Sequence, residues 1–533
     1  MLVLLPIFLL LITALAILIL QWIRPAFGFS WIIAVLSSIA SWGLLLAYHW
    51  HPPAPFVVQN WIPVRGFISN LTFEIDNNSW PYGISLVSLV VGAVLTAGAR
   101  LQHRSNPIVW AGSLAITSVG LLGTFATSPL ALLLAWSSID LFELAIMLGS
   151  SQVSRLNQQA VIAFSARVAG SFLVILAMAV SYAQNVSLTL DTVPAGAGIF
   201  LLVAAGLRLG VLPLHLPYPQ EVLMRRGMGN MLRMVAPASS LVILARLPGS
   251  AVPSAWAPYL LVFTGLSVIY GGVMWLTAED EVKGRPYWII ALAGMAISCV
   301  IQGKPAASLA WGVALLLSGG VLFLFSARRV RILFILALGV LGLTGLPFTP
   351  AASGWAGLLT PPFNLLDVIF ILALSLLIVG YVRHALRAGD ALESLDRWIQ
   401  VVYPLGLALV AGTLWLVGVL GWPGSLTTGV WWGSLSSAIL ATGGWLWLRF
   451  SSRIRIAQAR PPGWFALLMQ QSREGLAGFF RLEWAYQLAG LIFQLLQQIV
   501  QLITTILEGD GGVLWVLLLL ALLVSLIQAG ARP

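Results

Sequence analysis

Apolar stretches of about 20 residues, separated by short polar segments, recur along nearly the whole chain. A helix of about 20 apolar residues is long enough to cross the hydrocarbon core of a bilayer, which is about 30 Å thick. A transmembrane barrel would instead show segments of about 10 residues that alternate in polarity. The pattern therefore predicts an all-α polytopic membrane protein with about sixteen spanning helices. The predicted spans are 1–22, 29–49, 79–99, 107–126, 128–150, 160–184, 195–213, 230–246, 256–277, 286–303, 305–326, 329–350, 364–384, 399–420, 430–449 and 512–530.

Residues 461–511 break this pattern. Gln, Arg and Glu side chains recur there at helical spacing among Leu, Ile and Phe, between a Pro-Pro-Gly turn and a Gly-rich turn. A helix with one polar and one apolar face lies along a membrane surface or along the flank of a partner, rather than across the bilayer. The pattern predicts a long amphipathic surface helix, followed by a final spanning helix over 512–533.

The charged residues indicate how the helices are oriented. They make up only 8% of the chain, whereas a soluble domain has roughly 25%. The basic residues occur in ones and twos, mainly in the loops that follow odd-numbered spans. Because basic loops stay on the cytoplasmic side, the N-terminus is expected outside. Topology thus explains the formal net charge of +10, and no nucleic-acid partner is predicted.

A few ionisable residues fall inside the predicted spans or at their ends. An ionisable side chain within the bilayer costs several kcal/mol and is a functional hypothesis by default. We interpret these side chains either as stations of a proton or cation path, or as buried ion pairs that fix the helix register. Asp140 and Glu143 are three residues apart, so they share one helical face. The candidates are Asp140 and Glu143 in the fifth span, Arg167 in the sixth, Arg208 in the seventh, and His215 after it.

Two predicted spans are interrupted by Pro and Gly, which break or kink a helix. Interrupted helices at corresponding places of two halves are typical of inverted-repeat transporters. The helix-break positions are Pro213 and Pro217 in the seventh span, and Gly345, Pro347 and Pro350 in the twelfth. The organisation predicted from these breaks is 1–106 (three N-terminal spans), 107–255 (first repeat), 256–398 (second repeat), 399–460 (two further spans), 461–511 (surface helix) and 512–533 (final span).

Several stretches, in order along the chain, carry a resemblance to a known family. They include FEIDNNSWPYGISLVSLVVG, AVIAFSARVAGSFLVILAM, GLRLGVLPLHLPYPQEV, EDEVKGRPYWIIALAGMAISCVIQG and GLPFTPAASGW. Together they resemble the antiporter-like membrane subunits shared by respiratory complex I, its photosynthetic relative and Mrp-type sodium/proton antiporters. The likeness is greatest to NADH–quinone oxidoreductase chain 5, which carries a lateral helix before its last span.

The resemblance implies a row of proton-carrying residues at mid-membrane depth, and this sequence departs from that row. The family's fifth-span Glu corresponds to Ser137, and Asp140, about one turn away, is a candidate substitute. The seventh-span Lys is replaced by Arg208. The eleventh- and twelfth-span positions fall near Gly319 and Trp355, neither of which is ionisable. The resemblance therefore supports the fold and the kind of complex more than ion movement by this chain.

Three hypotheses about function follow. The first is an antiporter-like subunit of a proton- or cation-translocating complex, in a bacterial plasma membrane or a thylakoid membrane, with other integral membrane subunits and lipid as partners. The second is a degenerate, non-conducting relative that serves as a structural or docking subunit. The third is a stand-alone transporter of an organic solute, which no particular residue supports. We find no motif for a nucleotide, cofactor, metal or catalytic site, so any redox chemistry is expected in other subunits.

Overall fold

A computed structural model describes residues 1–451 except 26, 59–69, 100–106, 151–153, 219–225, 360–361, 388–389 and 422–426, together with scattered helical residues between 487 and 501 and residues 511–530. Nearly all of the regular structure in these ranges is α-helical. The helices are α1 (Leu5–Ile23), α2 (Ser30–Ala47), α3 (Trp80–Thr96), α4 (Pro107–Phe125), α5 (Pro129–Ser150), α6 (Ser154–Ala183), α7 (Ala195–Leu209), α8 (Met228–Arg246), α9 (Ala257–Thr277), α10 (Glu281–Ile301), α11 (Ser308–Leu324), α12 (Ile332–Thr344), α13 (Ala352–Leu358), α14 (Leu365–Ala385), α15 (Arg397–Leu420), α16 (Trp431–Ser451) and α17 (Gly511–Gly530).

The predicted all-α membrane fold is confirmed. Among the described residues, 12 helices are long and apolar enough to cross a membrane, and shorter apolar helices accompany them. Each of the predicted spans overlaps one observed helix. The predicted surface helix over 461–511 lies outside the described residues, apart from the scattered helical positions. The chain divides into two units, Met1–Arg460 and Pro461–Pro533, and α17 belongs to the second.

Two short sheets lie in the loops, where no strand was predicted. Phe56–Val58 (β1) pairs antiparallel with Leu71–Phe73 (β2). Ala327–Arg328 (β3) pairs parallel with Asp390–Ala391 (β4). Phe73 also forms a bridge with Ala126, and the Glu74 amide donates to the Phe125 carbonyl at 2.9 Å. The β1–β2 hairpin is thereby joined to the end of α4.

Both predicted helix breaks are present, and each helix ends earlier than its predicted span. The seventh span ends at Leu209, where Gly210 adopts a left-handed φ of 74°. The Val211 amide donates to the Gly206 carbonyl, so the chain turns back across the helix end. The twelfth span ends at Thr344, followed by Gly345 with φ 65°. A side chain at either glycine would be strained, because L-residues rarely adopt this conformation.

The core of the bundle is formed by a few central helices. In α10 the apolar window is 100% buried, and in α11 it is 94% buried, whereas the flanking α9 is only 39% buried. In the first half, α8 is 94% buried and α6 only 39%. The partly exposed helices present apolar side chains outward, as expected of surfaces that face lipid. Helices α7 and α8 contact α10, whose apolar window is fully buried.

Candidate functional site

Helices α5, α6, α7 and α8 bring five charged side chains together inside the first half. A single helical face of α5 supplies both carboxylates, because residues at positions i and i+3 lie side by side. The three neighbouring helices supply one guanidinium each. We call this group the ionic cluster, and no member is more than 4% exposed. Its members are Asp140, Glu143, Arg167, Arg208 and Arg233.

Asp140 is held mainly by Arg208. The Nη1 atom of Arg208 donates to Oδ2 of Asp140 at 2.6 Å, and Nη2 donates to Oδ1 at 2.9 Å. This is a bidentate pair, the strongest geometry that a guanidinium and a carboxylate form. Arg208 also lies 4.1 Å above the ring of Trp136, so its flat face is covered by an indole. On the other side, Nε of Arg167 lies 3.2 Å from Oδ1 of Asp140.

Glu143 is held by two different arginines. Nη1 of Arg167 donates to Oε2 of Glu143 at 2.8 Å, and Nη1 of Arg233 pairs with Oε1. Arg233 also lies 4.2 Å above the ring of Tyr218. Arg167 therefore bridges the two carboxylates. All four carboxylate oxygens of the ionic cluster are engaged by a guanidinium.

Four of the five candidates named from the sequence lie in the ionic cluster, and Arg233 was missed. Arg233 lies inside the predicted eighth span, in MGNMLRMVAP, where an Arg among apolar residues is itself a signal of a buried partner. The structure also shows how Ser137, at the position of the family's Glu, differs from Asp140, the candidate substitute. Ser137 is exposed, whereas Asp140 is 1% exposed and points into the cluster.

His215 lies just beyond the break in the seventh span and is 2% exposed. Its Nδ1 atom is 2.8 Å from the carbonyl oxygen of Pro213. Its own amide donates to the Gly210 carbonyl at 3.0 Å, which closes the turn after α7. Among the described residues, no hydrogen bond joins this imidazole to the ionic cluster. The structure thus places His215 in the broken segment rather than within the cluster.

The second half has aromatic side chains where the family's ionisable positions fall. A Cβ atom at Gly319 would lie 2.5 Å from Nε1 of Trp288, so the indole occupies the space that a side chain would need. Nε1 of Trp288 donates to the Leu315 carbonyl at 3.0 Å. Trp355 packs edge-on against Trp311 at 5.6 Å between ring centroids. The described helices α11, α12 and α13 contain no Asp, Glu, Lys, Arg or His.

Comparison with known proteins gives matches to solved structures only. No family model matches the chain, and no curated protein matches it. A chain of the Mrp complex from Dietzia sp. DQ12-45-1b aligns over 99% of this chain with a TM-score of 0.68 and 16% identity. A chain of the membrane-bound sulfane sulfur reductase, an archaeal respiratory membrane complex, aligns over 98% with a TM-score of 0.66 and 16% identity.

The resemblance seen in the sequence is confirmed at the level of the fold. The present chain spans 63% of the Mrp-complex chain and 100% of the sulfane sulfur reductase chain. Each of these two chains is part of a complex, and the sulfane sulfur reductase is a respiratory membrane complex. At this low identity the likeness establishes the arrangement of the helices alone, and function must be argued from the side chains.

Proposed function

We propose that the chain is an antiporter-like subunit of a multi-subunit membrane complex that translocates protons or other cations. The fold match over nearly the whole chain supports the kind of assembly. The single observation that carries the proposal is the pair of buried carboxylates, Asp140 and Glu143, placed beside the broken seventh span. Buried carboxylates at a helix break are where membrane transporters bind and release cations.

Only a few side chains of the ionic cluster could carry a proton along a path. A guanidinium keeps its proton at any physiological pH, so the three arginines do not relay protons. Asp140 and Glu143 are the members of the ionic cluster that can gain or lose one. Protonation of Asp140 would loosen its bidentate pair with Arg208, two residues before the turn at Gly210. We propose that this link between the charge on Asp140 and the helix break is the step of transport in which the protein moves.

We also propose the predicted repeats and topology for this chain. The break after α7 follows the fourth helix of 107–255, and the break after α12 follows the fourth helix of 256–398. The equal positions support two inverted repeats. The basic loops support an N-terminus outside, in a bacterial plasma membrane or a thylakoid membrane, with other integral membrane subunits alongside.

A second function, a non-conducting structural subunit, is favoured by a specific observation. The ionic cluster leaves no carboxylate oxygen without a guanidinium, and the second half is filled with indoles at the expected positions. In this second function the paired cluster would fix the helix register and take no part in ion movement. A subunit with such an interior would bind neighbouring subunits and would not conduct cations.

Co-purification and transport measurements test the proposal in turn. A tagged full-length chain is isolated from its native membrane, and its companions are identified by mass spectrometry. We expect subunits of an ion-translocating membrane complex, and a chain that is isolated alone would refute subunit membership. Inverted membrane vesicles that contain Asp140→Asn or Glu143→Gln are then assayed for cation movement.

The transport assay separates the two functions. Loss of coupled cation movement by about tenfold or more, with the complex still assembled, supports a path through the ionic cluster. Unchanged movement in an assembled complex supports the structural subunit. The matched control is Glu393→Gln, which removes an exposed carboxylate that lies 3.7 Å from Arg329 and is expected to leave transport unaltered.

A further inference from the structure

Two arginines, Arg383 and Arg387, lie at the end of α14 without a carboxylate partner. Arg383 is in the last turn of the helix, and Arg387 follows about one turn later, close enough for the two positive charges to oppose each other. Among the described residues, no Asp or Glu forms an ion pair with either side chain, and Glu393 in the next loop pairs with Arg329 instead. The end of α14 therefore carries two like charges that the described part of the chain does not neutralise.

The guanidinium of Arg383 is held at the junction of α9 and α14. Its Nη1 atom donates to the carbonyl of Leu276, and Nε2 of the next residue, His384, lies 3.2 Å from the carbonyl of Trp275. Both carbonyls belong to the last turn of α9, where helical carbonyls have few intrahelical partners. A guanidinium has five N–H donors, so Arg383 keeps further donors for a ligand after making this bond. The bond thus fixes the position of one charge and leaves it able to bind an anion.

Next to these arginines, α9 and α14 present apolar side chains outward. The two helices pack against each other, Leu372 of α14 and Val273 of α9 are exposed, and Leu376 is half-buried. Arg383 follows Leu372 by 11 residues, which is about three helical turns, so both lie on the same face of α14. This outer surface of α9 and α14 is therefore apolar along the helices and basic at one end.

The combination of charge and apolar surface decides which partner fits. A soluble anion would meet the two guanidiniums and leave the apolar side chains without a partner. An anionic phospholipid supplies both complements, because its phosphate is negative and its acyl chains are apolar. Arginine suits a phosphate in particular, since its planar fork donates two parallel hydrogen bonds. Charge complementarity together with the exposed apolar face therefore favours a lipid of the surrounding membrane.

We propose that Arg383 and Arg387 bind the phosphate of an anionic phospholipid whose acyl chains lie along the outer faces of α9 and α14. The two guanidiniums donate to the phosphate oxygens, and the acyl chains pack on Val273, Leu372 and Leu376. The bound lipid neutralises the end of α14 and covers the junction of the two helices. The assignment requires that these helices span the membrane and is independent of whether the chain conducts ions.

The test uses the purified full-length chain in detergent, with native mass spectrometry to count the bound lipids during a titration. Phosphatidylglycerol is the anionic probe, and phosphatidylcholine with the same acyl chains is the zwitterionic control. We expect tighter binding of phosphatidylglycerol than of phosphatidylcholine. In Arg383→Gln/Arg387→Gln the affinity for phosphatidylglycerol should be about tenfold to thirtyfold weaker, because each arginine near a membrane surface contributes to the attraction of anionic lipids.

Two further variants separate a lipid site from misfolding and from general attraction. Arg387→Gln alone keeps the bond between Arg383 and Leu276 and should still weaken the affinity about fivefold. Arg24→Gln/Arg397→Gln removes the same charge from two exposed arginines elsewhere and should leave the affinity within about twofold of the original chain. Equal weakening in the two double variants would overturn the assignment. Equal binding of the two lipids, or displacement of phosphatidylglycerol by an equal concentration of glycerol 3-phosphate, would overturn it as well.

Discussion

The two segments that we propose as repeats, 107–255 and 256–398, have the same order of helices and breaks but different side chains in their interiors. In each half the fourth helix ends at a glycine with positive φ, Gly210 in the first and Gly345 in the second. Beside the first break lies the ionic cluster, and beside the second lies the packed pair Trp311 and Trp355. One backbone arrangement thus accommodates either paired charges or close-packed indoles. The comparison shows that the break is a property of the backbone and that transport chemistry must be supplied by side chains.

The stability of the two interiors also depends on different interactions. The ionic cluster is stable only while each buried charge keeps its partner, since an unpaired buried ion costs several kcal/mol. The aromatic packing is stable only while volumes and shapes match, since interiors are as dense as organic crystals. The first half should therefore be sensitive to loss of charge, and the second half to gain of volume.

The largest effect is expected for Asp140→Asn. This change removes the bidentate partner of Arg208 and leaves three guanidiniums with one carboxylate, so we expect a loss of about 3–5 kcal/mol in the free energy of unfolding. SDS titration of the purified chain measures this loss. In the double variant Asp140→Asn/Arg208→Gln, both partners are neutral, and a coupling energy of about 0.5–3 kcal/mol should be recovered.

A smaller and purely steric effect is expected for Gly319→Ala. The added Cβ would lie 2.5 Å from Nε1 of Trp288, and overpacking of this kind costs about 1–3 kcal/mol. Gly412→Ala is the matched control, because Gly412 also lies within a helix but a Cβ there meets nothing within 4 Å. In the control variant the free energy of unfolding should stay unchanged or rise by up to about 1 kcal/mol. Equal effects at the two glycines would show that the second half is not tightly filled.

The smallest effect is expected at the loop before α3, where Asp76 pairs with Arg246 at the end of α8. Burial acts to raise the pKa of Asp76, but Arg246 and Ser79 outweigh it and hold that pKa below its ordinary value of 3.8. Because the pKa is lowered by folding, Asp76 contributes stability above this value, and the contribution is lost as the pH falls through the folded pKa. Asp76→Asn should cost about 1 kcal/mol at pH 7, and the difference should shrink below about pH 4.

Asp191 provides the opposite control for that pH series. Burial raises its pKa, against the pull of Arg246 and with the help of the negative charge on Asp76. Its ionised form is therefore disfavoured by folding, and Asp191→Asn should not lower the melting temperature at pH 7. Melting temperatures of the two variants between pH 3 and pH 7, a range that includes the ordinary carboxylate pKa of about 4, would separate the roles. If the melting temperatures of both variants changed with pH in the same way, the proposed effect of Arg246 on Asp76 would be contradicted.

The sequence by itself determined the positions of the membrane helices and of both breaks. Hydropathy depends on the residues of one segment, and the backbone limits of Gly and Pro are equally local, so both can be read along the chain. The same local reasoning identified four members of the ionic cluster as unusual residues in apolar surroundings. The small sheets in the loops carried no comparable signal, because strands of two or three residues have no periodicity to detect.

Only the tertiary structure decided which side chains meet. Glu143 pairs with Arg167 across 24 residues and with Arg233 across 90, and Asp140 pairs with Arg208 across 68. The rotation of each helix about its axis selects these partners, and that rotation is set by packing against all neighbours at once. The same global packing turned Ser137 outward and placed Trp288 where a side chain on Gly319 would lie. Local sequence patterns do not fix the rotation of each helix against its neighbours, so the chemistry of the interior emerged only from the assembled bundle.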